Sequence, residues 1–232
     1  LSQREITGMP ARPFMVDFDT LLAESKTISP VSVPDMYERI WKGCMPGLLS
    51  GQSERDIFYS SYISTYLERD VRELSGAIDA PKFNRFVTAV AARCSQFVNF
   101  TALAEDADID IQTAKSWLNI LETLGIVFLL HPYSNNVLKR TIRTPKLYFY
   151  DTGLVCYLTR WSSAEVAESG AMSGALLENF TVSELMKSYQ NEGLSPYLYF
   201  YRDRDAKEID VLLEGDGKLF PLEIKKTATP DK

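Results

Sequence analysis

"EIDVLLEGDGKLFPLEIKK" occupies residues 208 to 226 and reads as a β-hairpin, two apolar-rich runs joined by a Gly-Asp-Gly-Lys turn. Its charges are out of place in a hairpin built only to pack. Strand alternation sets Glu208, Asp210 and Leu212 on one face of the first run, opposite Ile209, Val211 and Leu213. On the second run it groups Pro221, Glu223 and Lys225 against Phe220, Leu222 and Ile224. Pairing through the turn would give Asp210 and Glu223 a shared face, with Lys225 one pleat along. Two carboxylates that close repel unless a cation lies between them, which is the ligand set of Mg²⁺ or Mn²⁺. Such a metal lowers the pKa of a bound water and steadies an attacked phosphate, while a nearby ammonium offsets developing charge. That is the chemistry of phosphodiester hydrolysis. An acid followed a dozen residues later by ExK also recurs on solvated hairpins, so the rest of the chain has to support it.

Working upstream, "PYLYFYR" reads as a further strand, and "ALLENFTVSELMKSYQ" as a helix with Leu176, Leu177, Phe180, Val182, Leu185 and Met186 apolar and Glu178 and Glu184 among them. "SSAEVAESGAMSG" reads as loop and marks a domain boundary. Before it lies the most legible stretch, "NFTALAEDADIDIQTAKSWLNILETLGIVFLL". It predicts a short helix from about Thr101, a turn around Ala107 to Asp110, and a second helix from Ile111 to Leu124 closed by Gly125. That is the length and order of a helix-turn-helix. Trp117, Leu118, Leu121 and Leu124 form its buried side, leaving Gln112, Lys115, Ser116 and Asn119 free to read base edges. "IVFLLHPYS" and "TPKLYFYD" then flank "NNVLKRTIR" as a hairpin carrying Lys139, Arg140, Arg143 and Lys146, with no acid between Leu138 and Tyr150. Two helices and a basic hairpin make a winged helix, a module that contacts nucleic acid or docks proteins.

Nearer the start, "SERDIFYSSYISTYLERDVREL" spaces Ile57, Phe58, Tyr62, Tyr66, Leu67, Val71 and Leu74 as one long amphipathic helix. A second helix after Pro81 repeats Phe83, Phe86, Val87, Val90, Ala91 and Cys94 as a core stripe. "PDMYERIWKG" predicts a short helix started by Pro34 and Asp35 and stopped by Gly43. Residues 1–34, with "MPARPF" and "ISPVSVP", read as extended connector.

The whole chain sets bounds. With 232 residues and 45% hydrophobic composition it can bury real cores. A net charge of -6 excludes binding of nucleic acid or anionic membrane by bulk charge, so such binding needs a local basic patch. Cys44, Cys94 and Cys156 are odd in number and far apart, which fits buried thiols in a reducing, cytoplasmic setting. His131 is the only histidine, so a multi-histidine metal site is impossible. No apolar run approaches the ~18 to 20 residues that span a bilayer. Neither a GxxxxGK[ST] loop nor GxGxxG is present to hold a nucleotide. An oligomer is compatible with all of this.

A helix carrying an acid, a hairpin with Asp, and a strand with ExK resemble the element order of the PD-(D/E)XK nuclease-like fold. The resemblance implies a catalytic and metal-binding set of Glu178, Asp210, Glu223 and Lys225, with Glu184 a weaker match than Glu178. More broadly, "YISTYLERDVREL", "KLYFYDTGLVCYL", "ALLENFTVSEL", "YFYRDRDAKEIDVLLE" and "PLEIKK" are similar to the C-terminal domain of unknown function that follows the ATPase module in a family of prokaryotic AAA-type ATPases. That resemblance implies a mixed α/β chain: a connector over 1–34 from an absent ATPase module, a helical region over 35–160 and a nuclease-like α+β domain over 161–232. Within the helical region the helix-turn-helix falls at about 99–125 and the wing at about 126–150. It implies a nuclease-like fold cut short after the ExK strand, ATP bound only by the upstream module, and that module and DNA as partners. Two functions follow as expectations. One is a DNA-processing effector that cuts with Mg²⁺ or Mn²⁺. The other is a non-catalytic DNA- or protein-binding module that regulates the ATPase. Transcription control by the winged helix alone would leave the C-terminal acids unused.

Overall fold

The chain is described from a computed structural model that covers residues 1–26, 28–51, 53–76, 78–134, 144–203, 205, 207–215 and 217–226. Helices dominate the first two thirds. They are α1 (Gln3–Ile6), α2 (Phe18–Ser25), α3 (Val33–Lys42), α4 (Pro46–Leu49), α5 (Arg55–Ser61), a π-helical segment (Tyr62–Leu67), α6 (Glu68–Ser75), α7 (Ala80–Ala91), α8 (Phe100–Ala107) and α9 (Ile111–Thr123). A hairpin of β1 (Val127–Leu130) and β2 (Lys146–Phe149) follows. Next come α10 (Thr152–Leu158), α11 (Ala164–Ser169), α12 (Ser173–Gln190) and an antiparallel sheet β3 (Leu198–Arg202), β4 (Glu208–Gly215) and β5 (Lys218–Leu222).

Local chemistry sets most helix starts. Ser32, Asp79, Asn99, Asp110 and Asp151 each accept a hydrogen bond from the backbone N–H three residues on, capping α3, α7, α8, α9 and α10. Each such cap is worth about 1 kcal/mol. The α7 stripe packs as its spacing predicts: Phe83, Phe86, Val87, Val90, Ala91 and Cys94 are all fully buried. So do Trp117, Leu118 and Leu121 of α9, while Leu124 is half-buried.

The helix from Arg55 to Ser75 departs from the straight α pattern. Ile57 and Leu74, expected in the core stripe, are 60% and 56% exposed. The buried set is instead Tyr59, Ile63, Leu67 and Val71, a spacing of four. The π segment supplies the reason: its wider i→i+5 turn rotates the face that meets the core. The side chain of Tyr66 lies outside the described residues.

Two cores share the β1–β2 hairpin. Val127, Leu147 and Phe149 join the helical core, while Phe128, Leu130 and Tyr148 join a second core with Val182, Leu185, Leu198, Phe200, Val211 and Leu213. Successive residues of one ribbon thus serve opposite sides. Helix α12 is shared in the same way, with Leu176 and Phe180 in the first core and Val182 and Leu185 in the second. The hairpin is also tied laterally. Gln96 to Val98 pairs with the free side of β2, and Pro132 bridges in parallel to Phe200 of β3, whose N–H donates to the His131 carbonyl at 3.1 Å and whose carbonyl accepts from Tyr133 N–H at 2.7 Å.

Residues 1–34 are not an extended connector. They form α1, α2 and the start of α3, and they pack on α12: Gln3 N–H donates to Glu184 at 2.7 Å, Phe14 N–H to Ser188 at 3.1 Å, and Tyr189 donates to the Phe14 carbonyl at 2.8 Å. The prolines read as connector signals sit between these helices and at the start of α3, where proline is tolerated.

Candidate functional site

Residue types explain the site's placement. In β2 the period of two sends Lys146 and Tyr148 to the same side, toward the first half of α12 and the start of β4. Lys146, expected on a DNA-facing hairpin, is only 4% exposed. That expectation is corrected: its ammonium pairs with Glu178 at 3.0 Å and with Glu208, and lies 6.0 Å from the rings of Phe97 and Phe200. Tyr148 donates its hydroxyl to the same Glu178 oxygen at 2.6 Å. Burial alone would lower the Lys146 pKa; Glu178 and Glu208 override it and hold the ammonium above the ordinary lysine value. Next to Glu178, the fully buried Asn179 accepts from Phe149 N–H at 2.8 Å and donates to its carbonyl at 2.9 Å, fixing α12 against β2.

Asp210 lies at an irregularity that strict alternation does not foresee. The β3–β4 register shifts between Tyr199↔Leu212 and Tyr201↔Ile209, so the single residue Phe200 faces both Asp210 and Val211. Bulges of this kind re-aim side chains. Beyond it alternation resumes: Val211 and Leu213 enter the second core, and Leu212, on the other face, is buried as well. On the other side the β4–β5 register is regular, Val211 opposite Leu222 and Gly215 opposite Lys218. One step beyond that ladder Asp210 accepts from Ile224 N–H at 2.8 Å. Burial and repulsion from Glu223 raise the Asp210 pKa against the pull of that N–H, Lys146 and Lys225. Glu223 and Lys225 form an ion pair at 2.6 Å, both about half exposed, which raises the lysine pKa.

The four residues implied by the nuclease resemblance thus fall into two neighbouring groups. Glu178 and Asp210 sit half-buried beside Lys146, and Glu223 and Lys225 pair at the rim. Their fit to a divalent cation is poor. The Glu178 oxygen already serves Lys146 and Tyr148, Asp210 serves Ile224, and Glu223 serves Lys225. Among the described residues no three His, Cys, Asp or Glu side chains come together to hold a metal ion. Sequence reading put Glu208 on the Asp210 face but gave it no role; its partnership with Lys146 needs a contact sixty-two residues away, which no local period reveals.

The other predicted residues lie on the helical half. Gln112, Lys115, Ser116 and Asn119 all sit exposed on one side of α9. Asp108 and Asp110 stand in the turn before that helix, and Glu105 and Asp106 in the last turn of α8. Asp106 pairs with Arg93 at 2.5 Å and Asp108 with Lys82 at 2.9 Å, while Asp110 caps α9. Lys139, Arg140 and Arg143 lie outside the described residues. The three cysteines are free and buried. Glu184, the alternative helical acid, faces the opposite side, pairing with Lys187 at 2.5 Å.

Residues 33–165, more than half of the chain, match the family described as Domain of unknown function (DUF8612). The chain belongs to this family. Its DUF8612 part is followed by a match of residues 173–232 to Domain of unknown function (DUF4143), which begins at the first residue of α12. The Lys146 cluster therefore joins the two parts, with Lys146 and Tyr148 from one and Glu178 and Glu208 from the other. The chain is 32% identical over 197 residues to "Uncharacterized protein Rv2008c" of Mycobacterium tuberculosis and equally to "Uncharacterized protein Mb2031c" of Mycobacterium bovis. These alignments cover 83% of this chain and 44% of each relative, so the DUF8612 chain spans less than half the length of the curated relatives it matches. No solved structure matches it. No helix among the described residues is long and apolar enough to cross a membrane.

Proposed function

We propose that the chain is a non-catalytic binding module of a larger AAA-type ATPase, in which a winged-helix-like unit is fixed to a nuclease-like unit whose acids are neutralised from within. One observation carries the reading: the Lys146 ammonium lodged between Glu178 and Glu208. A fixed internal cation satisfies carboxylates that an exchangeable ion would otherwise hold, and the buried pair gains from the low dielectric around it. The order α7, a paired segment at Gln96 to Val98, α8, α9 and the β1–β2 hairpin supports the winged-helix part. Helix α12 followed by the β3–β5 sheet supports the nuclease-like part. The resemblance to ATPase C-terminal regions, together with the coverage of longer relatives, supports an upstream ATPase.

The test is incubation of the chain with supercoiled plasmid and with single-stranded DNA in Mg²⁺ or Mn²⁺. Both substrates stay uncut on this reading. Cleavage that disappears in Asp210→Asn and Lys225→Ala would replace it with the metal-dependent nuclease reading, which the closeness of Asp210, Glu223 and Lys225 favours.

For the ligand, the four exposed polar side chains of α9 favour duplex DNA, and the acids of the preceding turn favour a basic protein surface. A DNA-reading helix sets its first turn against phosphates, where carboxylates repel. The acidic turn supports the protein-docking reading. Gel-shift titration at two salt concentrations checks this: no salt-dependent retardation of duplex is expected, and a shift lost in Lys115→Glu would restore the DNA reading.

A further inference from the structure

The segment from Ser2 to Met15 crosses α12 as a strap pinned near both ends, by Gln3 to Glu184 and by Ser2 and Glu5 to Asn191 at one, and by Phe14 to Ser188 and Tyr189 at the other. Between the pins it does not close down on the helix. A cavity of about 330 Å³ remains beneath it, lined on its apolar side by Phe14, Met15, Met36, Phe180 and Leu185. That volume is within the range that small organic ligands occupy, and an apolar wall with a few converging polar groups is their usual setting. Water gains little against such a wall, so an apolar occupant is favoured over solvent.

The polar groups give the sign of the ligand. Arg4 and Arg12 both stand at the cavity and share one carboxylate, Glu24 of α2: Arg12 pairs with it and Arg4 lies 3.9 Å away. The other acid at the cavity, Glu184, is matched by Lys187 at 2.5 Å and by Gln3 N–H. Two guanidinium groups against one carboxylate leave one positive charge in excess at the mouth. The planar fork of arginine suits a carboxylate. We propose that the cavity under the strap binds a small amphipathic monocarboxylate, its apolar body against Phe180 and Leu185 and its carboxylate on the Arg4 and Arg12 guanidinium groups that share Glu24. An occupant would bear on the strap and α12 together. The site is separate from the Lys146 cluster and independent of what the α9 face binds.

Isothermal titration of the 232-residue chain with octanoate, octan-1-ol and octylamine tests it. Octanoate should bind at least about tenfold more tightly than octan-1-ol, the worth of one charge-assisted hydrogen bond, and octylamine should bind weakest. Arg12→Gln, a change at a partly exposed side chain, should abolish the preference for octanoate over octan-1-ol without altering octan-1-ol binding. Thr181→Phe, which fills the cavity from α12, should remove binding of both. Absence of octanoate binding, octylamine binding as tight as octanoate, an unchanged preference in Arg12→Gln, or full binding in Thr181→Phe would each overturn the proposal.

Discussion

Lys146 of β2 and Glu178 of α12 meet at 3.0 Å across thirty-two residues of sequence, and the same ammonium reaches Glu208 of β4. One buried charge therefore ties the hairpin, the long helix and the second sheet. Replacing it with methionine would leave two largely buried carboxylates facing each other. Lys146→Met is expected to lower unfolding free energy by about 3 to 5 kcal/mol, the cost of orphaning a buried ion pair. Adding Glu178→Gln and Glu208→Gln should return most of that loss. Urea denaturation of the single and triple variants decides between this and a merely superficial pair, for which the single change would cost under about 1 kcal/mol.

Asp210 gives a pH dependence of definite sign. Its pKa in the folded chain is raised above the ordinary value of 3.8, so folding favours its protonated form. Stability from this group is present below that ordinary value and is lost as pH rises through the raised one. Asp210→Asn, which keeps an oxygen for Ile224 N–H, should therefore raise the melting temperature at pH 7 and leave it nearly unchanged at pH 3. Equal shifts at both pH values would show that the carboxylate is not strained by folding.

Asn179 supplies both hydrogen bonds of the Phe149 peptide groups that face it. Asn179→Leu fills the space but removes both partners, at about 1 to 3 kcal/mol for each buried group left unpaired. The loss should be confined to stability, and hydrogen exchange at the Phe149 amide should accelerate more than at Val127. Uniform acceleration would assign the cost to packing instead.

Gly153 opens α10 against the loop that ends α3. A Cβ there would run into the Tyr59 hydroxyl and stand 2.7 Å from both Gly43 Cα and the Lys42 carbonyl oxygen. Gly153→Ala is expected to destabilise by about 1 to 3 kcal/mol as an overpacked site. Tyr59→Phe should not rescue it, because the backbone obstruction stays. Rescue by that second change would mean the backbone can yield.

What the sequence disclosed follows the reach of its periods. Phe83 to Cys94 and Trp117 to Leu121 were legible because one helix face meets one core at a constant 3.6 spacing. The start and end of α9 were legible because Asp110 and Gly125 act locally. The Arg55 to Ser75 helix misled at Ile57 and Leu74 because a π segment changes the period without changing composition. The strap over α12 was hidden because its ties reach partners more than 170 residues away, beyond any local period. Of the candidate site, Asp210, Glu223 and Lys225 were visible by alternation along two strands, and Glu178 only through the resemblance to the nuclease-like fold. Lys146 was visible only as one more cation in a basic run. Its inward direction depends on which side of β2 the second core takes, a tertiary fact.

The parallel bridge of Pro132 to Phe200 has a mechanical meaning. It ties the segment leaving β1 to β3 through two backbone hydrogen bonds, so the two separate sheets are coupled at a single point. A displacement of the hairpin therefore reaches the C-terminal sheet at Phe200, the residue opposite the irregularity that holds Asp210.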